Sequence, residues 1–137
     1  MKMSAKEAEA IIKSLKFRNR LVTAVTRDYR TKDVLMVASM NKQAVLKTLT
    51  TGRMHYWSVS RRKLWLKGEI SKHYQFVRDV HVDCDGDALV FDVEQVGAAC
   101  HEGYRSCFYR KIKRGKLKEF RKKSFKPEDV YRRAKSK

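Results

Sequence analysis

Apolar residues recur at helical spacing near the start of the chain. Ala8, Ile11, Ile12 and Leu15 fall on one face of a helix predicted over residues 4–16. Ser4, with Glu7 three positions on, has the spacing of a capping box. The pattern then changes period. Residues 21–39 are rich in Val and Thr, interrupted by polar Arg27 to Asp33, which predicts a β-hairpin. Asn41 is placed to cap a second helix running to about Leu49, with Ala44, Val45, Leu46 and Leu49 inward and Gly52 as its stop. Met54 to Val59 and Lys63 to Lys67 read as strands joined through Arg61 and Arg62. Tyr74 to Val82 reads as a strand with Phe76, Val80 and Val82 on its apolar side, and Ala88 to Val96 as another carrying Leu89, Val90, Phe91 and Val93. Cys107 to Ile112 is a candidate for one more. Pro127, Glu128 and Asp129 suit the first turn of a last short helix. There are no internal repeats. The pattern predicts an α+β domain, a mostly antiparallel β-sheet with two or three short helices.

Bulk properties narrow the picture. A chain of 137 residues with 42% hydrophobic residues predicts one domain with its own core. No apolar run is long enough to span a membrane, and residues 1–16 lack the apolar block of a signal peptide, so a cytoplasmic protein is expected. The formal net charge of +18 attracts anions: nucleic acid, acidic membrane surfaces or phosphorylated small molecules. The charge is uneven. From Arg105 onward, fifteen Lys or Arg residues stand against Glu119, Glu128 and Asp129. A basic tail over about residues 113–137 is as readily a solvated surface as a binding one.

The chemistry concentrates between residues 83 and 107. All 3 cysteines of the chain lie there: Cys84, Cys100 and Cys107. Three thiols cannot all pair with one another, and metal binding or catalysis suits a reducing compartment better than a disulfide. No C-x-x-C occurs, which argues against an ordinary zinc finger or a thioredoxin-type motif. Three thiolates around Zn²⁺ leave a fourth tetrahedral position open, as catalytic zinc sites do. Zinc lowers the pKa of water to about 7, and His101, next to Cys100, is placed to take or relay a proton. Each of these residues also has a plain structural reading, a small buried thiol or a hydrogen-bonded histidine. Asp83, Asp85 and Asp87 alternate. If that stretch is extended, the carboxylates share one face, fit for a hard cation such as Mg²⁺, and Cys84 points the other way. An acidic turn between strands is the plain alternative. A calcium-binding EF-hand loop is rejected, because Ala88 sits where that loop needs Gly.

The stretch from Trp57 to Ser71 sets Ser58, Ser60, Arg61, Lys67, Glu69 and Ser71 among Trp57 and Trp65. Arginine and lysine bind phosphate and tryptophan stacks on bases, but an amphipathic hairpin has the same composition.

Four blocks stand in a distinctive order: WSVSR at 57–61, LWLKGEIS at 64–71, VDCDGDAL at 82–89 and GAACHEGYRSCF at 97–108. Together, over about residues 35–109, they resemble the phosphoribosyl-AMP cyclohydrolase family. The resemblance implies a homodimer with metal sites at the subunit interface. It implies Zn²⁺ on Cys84 of one chain with Cys100 and Cys107 of the other, and Mg²⁺ on Asp83, Asp85 and Asp87. It implies a hydrolase acting in the third step of histidine biosynthesis. That enzyme opens the adenine ring of phosphoribosyl-AMP between N1 and C6 and gives the formimino aminoimidazole carboxamide ribonucleotide. On this reading zinc-activated hydroxide attacks C6, with His101 as the catalytic proton carrier. Arg61, Lys67, Glu69 and Ser71 are the candidates for holding phosphate, ribose or base. A phosphorylated nucleotide substrate also gives the basic field something to attract. Lys72 stands where the family has Gly, and Glu102 where it has Thr. The length leaves no room for a fused pyrophosphohydrolase domain, so one activity is expected. The rival is a basic nucleic-acid-binding module with a structural zinc, supported by the net charge and by aromatics among basic residues.

Overall fold

Local chemistry sets the helix boundaries in the computed structural model, which describes residues 1–135. Helix α1 spans Ala5–Ser14, and both bonds of its capping box form: the Glu7 amide donates to Ser4 Oγ and the Ser4 amide to Glu7 Oε1. Helix α2 spans Lys42–Thr51. It starts where the Ala44 amide donates to Asn41 Oδ1 at 2.8 Å and stops at Gly52, whose φ of 75° is the left-handed cap conformation. Between them lie β1 (Val22–Asp28) and β2 (Val34–Met40). After α2 come β3 (His55–Ser58), β4 (Lys63–Leu66), β5 (Gln75–Val82), β6 (Ala88–Gln95), β7 (Arg110–Lys113), β8 (Lys116–Glu119) and α3 (Pro127–Lys135).

The main sheet runs β2-β1-β6-β5. Its outer pairs are antiparallel, and the central β1–β6 pair is parallel. The fold is α+β and mostly antiparallel, as the pattern predicts. β1 alternates cleanly, burying Val22, Ala24, Thr26 and Asp28. Its partner β6 buries Leu89, Phe91 and Val93, and Ala8, Leu15, Ala44, Val45 and Leu49 from the helices belong to the same core. The β3–β4 hairpin is tied on through a buried polar chain. Thr26 Oγ1 and Tyr56 Oη lie 2.7 Å apart, Tyr56 Oη donates to Gln75 Oε1, and Gln75 Nε2 donates to Gln95 Oε1. Each link satisfies a group whose burial would otherwise cost free energy. Among the described residues no helix is long and apolar enough to cross a membrane.

Three sequence expectations need correcting. In β5 the buried residues are Gln75 and Val77, while Phe76 and Val82 are exposed. An irregularity between Val77 and Asp79 shifts the register, so one alternation does not run the length of the strand. Leu46 is half-buried and Thr48 takes its place inside α2. Cys107 lies before β7, not in it. The last helix opens at Pro127 as predicted, and residues 110–119 of the basic tail form the exposed β7–β8 hairpin. Residues 136–137 lie outside the described residues.

Candidate metal and substrate site

Residues 83–87 form the acidic turn that is the plain alternative to an extended segment. The turn has an internal cause. Asp83 Oδ1 accepts from the Asp87 and Ala88 amides at 3.1 and 3.2 Å, and Gly86 takes a φ of 75° against the end of α1. The curl gathers the three carboxylates by another route. Ligand oxygens of Asp83, Asp85 and Asp87 lie within 4.8 Å of one another, exposed or half-exposed. Hydrogen bonding to Asp87 and then Asp83 raises the Asp85 pKa. Arg18, 2.8 Å from Asp87 and 3.8 Å from Asp85, instead lowers the Asp87 pKa. Three carboxylates gathered this closely, with one arginine beside two of them, are a donor set fit for a hard dication.

The second thiol group sits beyond the other end of β6. Cys100 is buried and accepts a hydrogen bond from the Glu102 amide at 3.4 Å. Cys107 reaches the surface, with Cys100 and Lys67 as charged or ionisable neighbours. Burial, followed by the neighbouring Cys100, pushes the Cys107 thiol up to about 12. A thiol desolvated like that of Cys107 is a poor acid alone and becomes a good ligand when a dication draws off its proton. Their loop is fastened to the β1–β2 hairpin. The Cys107 amide donates to Leu35 O at 2.8 Å, Ser106 Oγ donates to Val34 O at 2.7 Å, and Arg105 pairs with buried Asp28.

Cys84 does not join them within one chain. Among the described residues, the only groups with ligand atoms within 4.8 Å are the aspartate trio and Asp79, His81 and Asp92. β6, eight residues long, separates the Cys84 turn from the Cys100 loop. At roughly 3.3 Å per residue it spans about 25 Å. The Asp79–His81–Asp92 group, which sequence reasoning missed, is accounted for by ion pairs. Buried Asp92 receives Arg27 at 2.7 Å and Lys32 at 3.2 Å.

The remaining candidates divide. Lys67 is only 6% exposed, and its Nζ donates to Ala99 O at 2.6 Å. Burial pushes its pKa down, against the pull of Cys107 and Cys100 nearby. It therefore sits behind the thiol loop. Arg61 lies exposed in the β3–β4 turn, its amide donating to Ser58 Oγ. Glu69 is exposed, and Ser71 Oγ accepts from the His73 amide. His101 is exposed, with Nε2 3.1 Å from Glu102 Oε1. The Asp28–Arg105 anchor was also missed by sequence reasoning, because 77 residues separate its ends.

Comparison with known proteins places these residues in one family. The phosphoribosyl-AMP cyclohydrolase family model matches residues 36–109, a span holding every candidate above. A phosphoribosyl-AMP cyclohydrolase of Sulfurisphaera tokodaii is 59% identical over 112 residues, covering 80% of this chain and 95% of its own. One from Methanothermobacter thermautotrophicus is 60% identical over 113 residues, 81% of this chain and 82% of its own. The histidine biosynthesis bifunctional protein HisIE of Thermoanaerobacter pseudethanolicus is 51% identical over 124 residues, 90% of this chain and 57% of its own. With more than half its length matched, including both thiols of the Cys100 loop and the aspartate turn, the chain belongs to the phosphoribosyl-AMP cyclohydrolase family.

Proposed function

We propose that the chain hydrolyses phosphoribosyl-AMP in histidine biosynthesis, opening the adenine ring between N1 and C6 without release of ammonia. The observation that carries this reading is the division of the thiols. Cys100 and Cys107 are neighbours on a tethered loop, while Cys84 lies among three carboxylates at the other end of β6, a strand about 25 Å long. A homodimer resolves the separation by bringing the Cys84 turn of one copy to the Cys100 loop of the other, so that each site draws on both chains. Apolar residues exposed next to both halves, Val82 beside Cys84 and Phe108 beside Cys107, suit such an interface.

Cys84, Cys100 and Cys107 would hold Zn²⁺, which would supply Lewis acidity to activate water near neutral pH. The chain's own residues do the rest. Water adds at C6, the C6–N1 bond breaks, and His101 carries the proton from the attacking water to N1. Glu102, where the family has Thr, lies 3.1 Å from His101 Nε2 and orients the ring. The same dimer contact would bring Asp83, Asp85 and Asp87 to the site with Cys84, and these three carboxylates would hold Mg²⁺ there. Arg61, Glu69 and Ser71 are the contacts for phosphate, ribose or base. Lys67 serves from behind by holding Ala99 and balancing thiolate charge. Purified Cys100→Ala and Cys107→Ala should each lose zinc and nearly all turnover, whereas Asp85→Asn should keep zinc and weaken Mg²⁺ dependence. Full zinc content in either cysteine variant would remove that residue from the ligand set.

A further inference from the structure

We infer that the segment from Lys123 to Tyr131 clamps the loop bearing Cys100 and His101, with Phe125 as its positioning residue; this rests on the zinc reading above. The segment lies beyond the part of the chain that the family model matches.

The clamp closes on both ends of one loop. At the C-terminal end, Gly103 O accepts from the Ser124 amide at 2.6 Å and from the Phe125 amide at 3.3 Å. Gly103 has a φ of 101°, and a Cβ there would overlap the Phe125 carbonyl oxygen, so the two backbones touch. Tyr104 bridges to Lys123, and the Lys123 ammonium lies 5.9 Å from the centre of the Tyr104 ring. At the N-terminal end, the Phe125 ring meets His73 edge-on, with centroids 4.9 Å apart at 88°. His73 Nδ1 accepts from the Ala98 amide at 3.4 Å, and its ring fills the space a side chain at Gly97 would need. Phe125 therefore touches Gly103 directly and Ala98 through His73, and Cys100 and His101 lie between. Tyr131, 6.3 Å from Phe125, ties α3 back to the same point.

Groups that orient metal ligands from behind matter to affinity, and their loss commonly weakens metal binding about 10–100-fold. Coupling of this kind is reciprocal: a clamp that tightens zinc must be tightened by it. The test uses the full chain. Zinc affinity is read by competition with a coloured chelator for wild type, Phe125→Ala and Phe125→Tyr. Amide hydrogen exchange at Ser124 and Phe125 is followed in wild type with and without zinc. The clamp predicts zinc binding weakened about 10-fold or more in Phe125→Ala, a lower kcat at little-changed KM, and recovery in Phe125→Tyr, which keeps the ring. It also predicts slower exchange at both amides when zinc binds, a readout that needs no variant to fold. Unaltered zinc affinity in Phe125→Ala, or exchange indifferent to zinc, overturns the clamp alone. Wild type that takes up no zinc overturns the metal reading and the clamp with it.

Discussion

Asp28 closes β1 with its carboxylate buried and shared among three donors. The Arg30 and Thr31 amides donate to Oδ1, and the Arg105 guanidinium pairs with Oδ2. Burial raises the Asp28 pKa, but the Arg105 bond and the two amides outweigh it and hold the carboxyl below its usual range. A carboxylate whose pKa is depressed on folding stabilises the fold above its ordinary pKa of about 3.9, and that contribution is lost as pH falls through the folded value. Wild-type stability should therefore drop below about pH 4. Asp28→Asn should lose part of that acid sensitivity and about 1–2 kcal/mol at neutral pH, a figure reduced for the partial exposure of Arg105. Urea unfolding from pH 3 to 7 checks this, and an acid slope identical in the variant would remove Asp28 as its source. Residue-scale chemistry was uneven to read. Cys84, Cys100, Cys107 and the alternating aspartates are rare types at short spacing and stand out in sequence. Asp28–Arg105 and the burial of Lys67 depend on where distant segments meet, which spacing does not encode.

The elements whose limits are set by neighbouring residues were legible: α1 from Ser4 and Glu7, α2 from Asn41 and Gly52. Elements whose character depends on a partner strand were less so. The irregularity in β5 arises from its pairing with β6, and it turned Phe76 outward. The 83–87 segment curls because Asp83 accepts two amides of its own turn, which alternation alone does not foresee. The β7–β8 hairpin exposes Ile112 and Leu117 along with its lysines, so it lacks the buried apolar face that marks a strand. The β3–β4 hairpin joins the main sheet through Tyr56. Tyr56→Phe removes the hydroxyl between Thr26 and Gln75 and leaves a buried acceptor unpaired, at a cost of about 1–3 kcal/mol. Thermal or urea denaturation reads that loss. A neutral result would mean that Thr26 and Gln75 re-pair without it.

At the scale of the whole molecule, a single chain places the aspartate–Cys84 turn and the Cys100–Cys107 loop at opposite ends of β6, and the proposed activity needs them from different copies. Subunit mixing addresses this. Cys84→Ala and Cys100→Ala homodimers should each be inactive. A refolded equal mixture should regain about a quarter of wild-type turnover, since half the dimers are mixed and each of those restores one of two sites. No recovery in a mixture of demonstrated heterodimers would assign all ligands to one chain. The family match shows which reaction to assay, while the metals and the dimer rest on the geometry of the cysteines and aspartates. The most direct measurement is phosphoribosyl-AMP turnover by the purified chain, before and after removal of zinc by a chelator. The account predicts ring opening that disappears on chelation and returns with zinc. Failure to turn over this substrate in zinc-replete protein, or turnover undiminished in protein shown to be free of zinc, would contradict it.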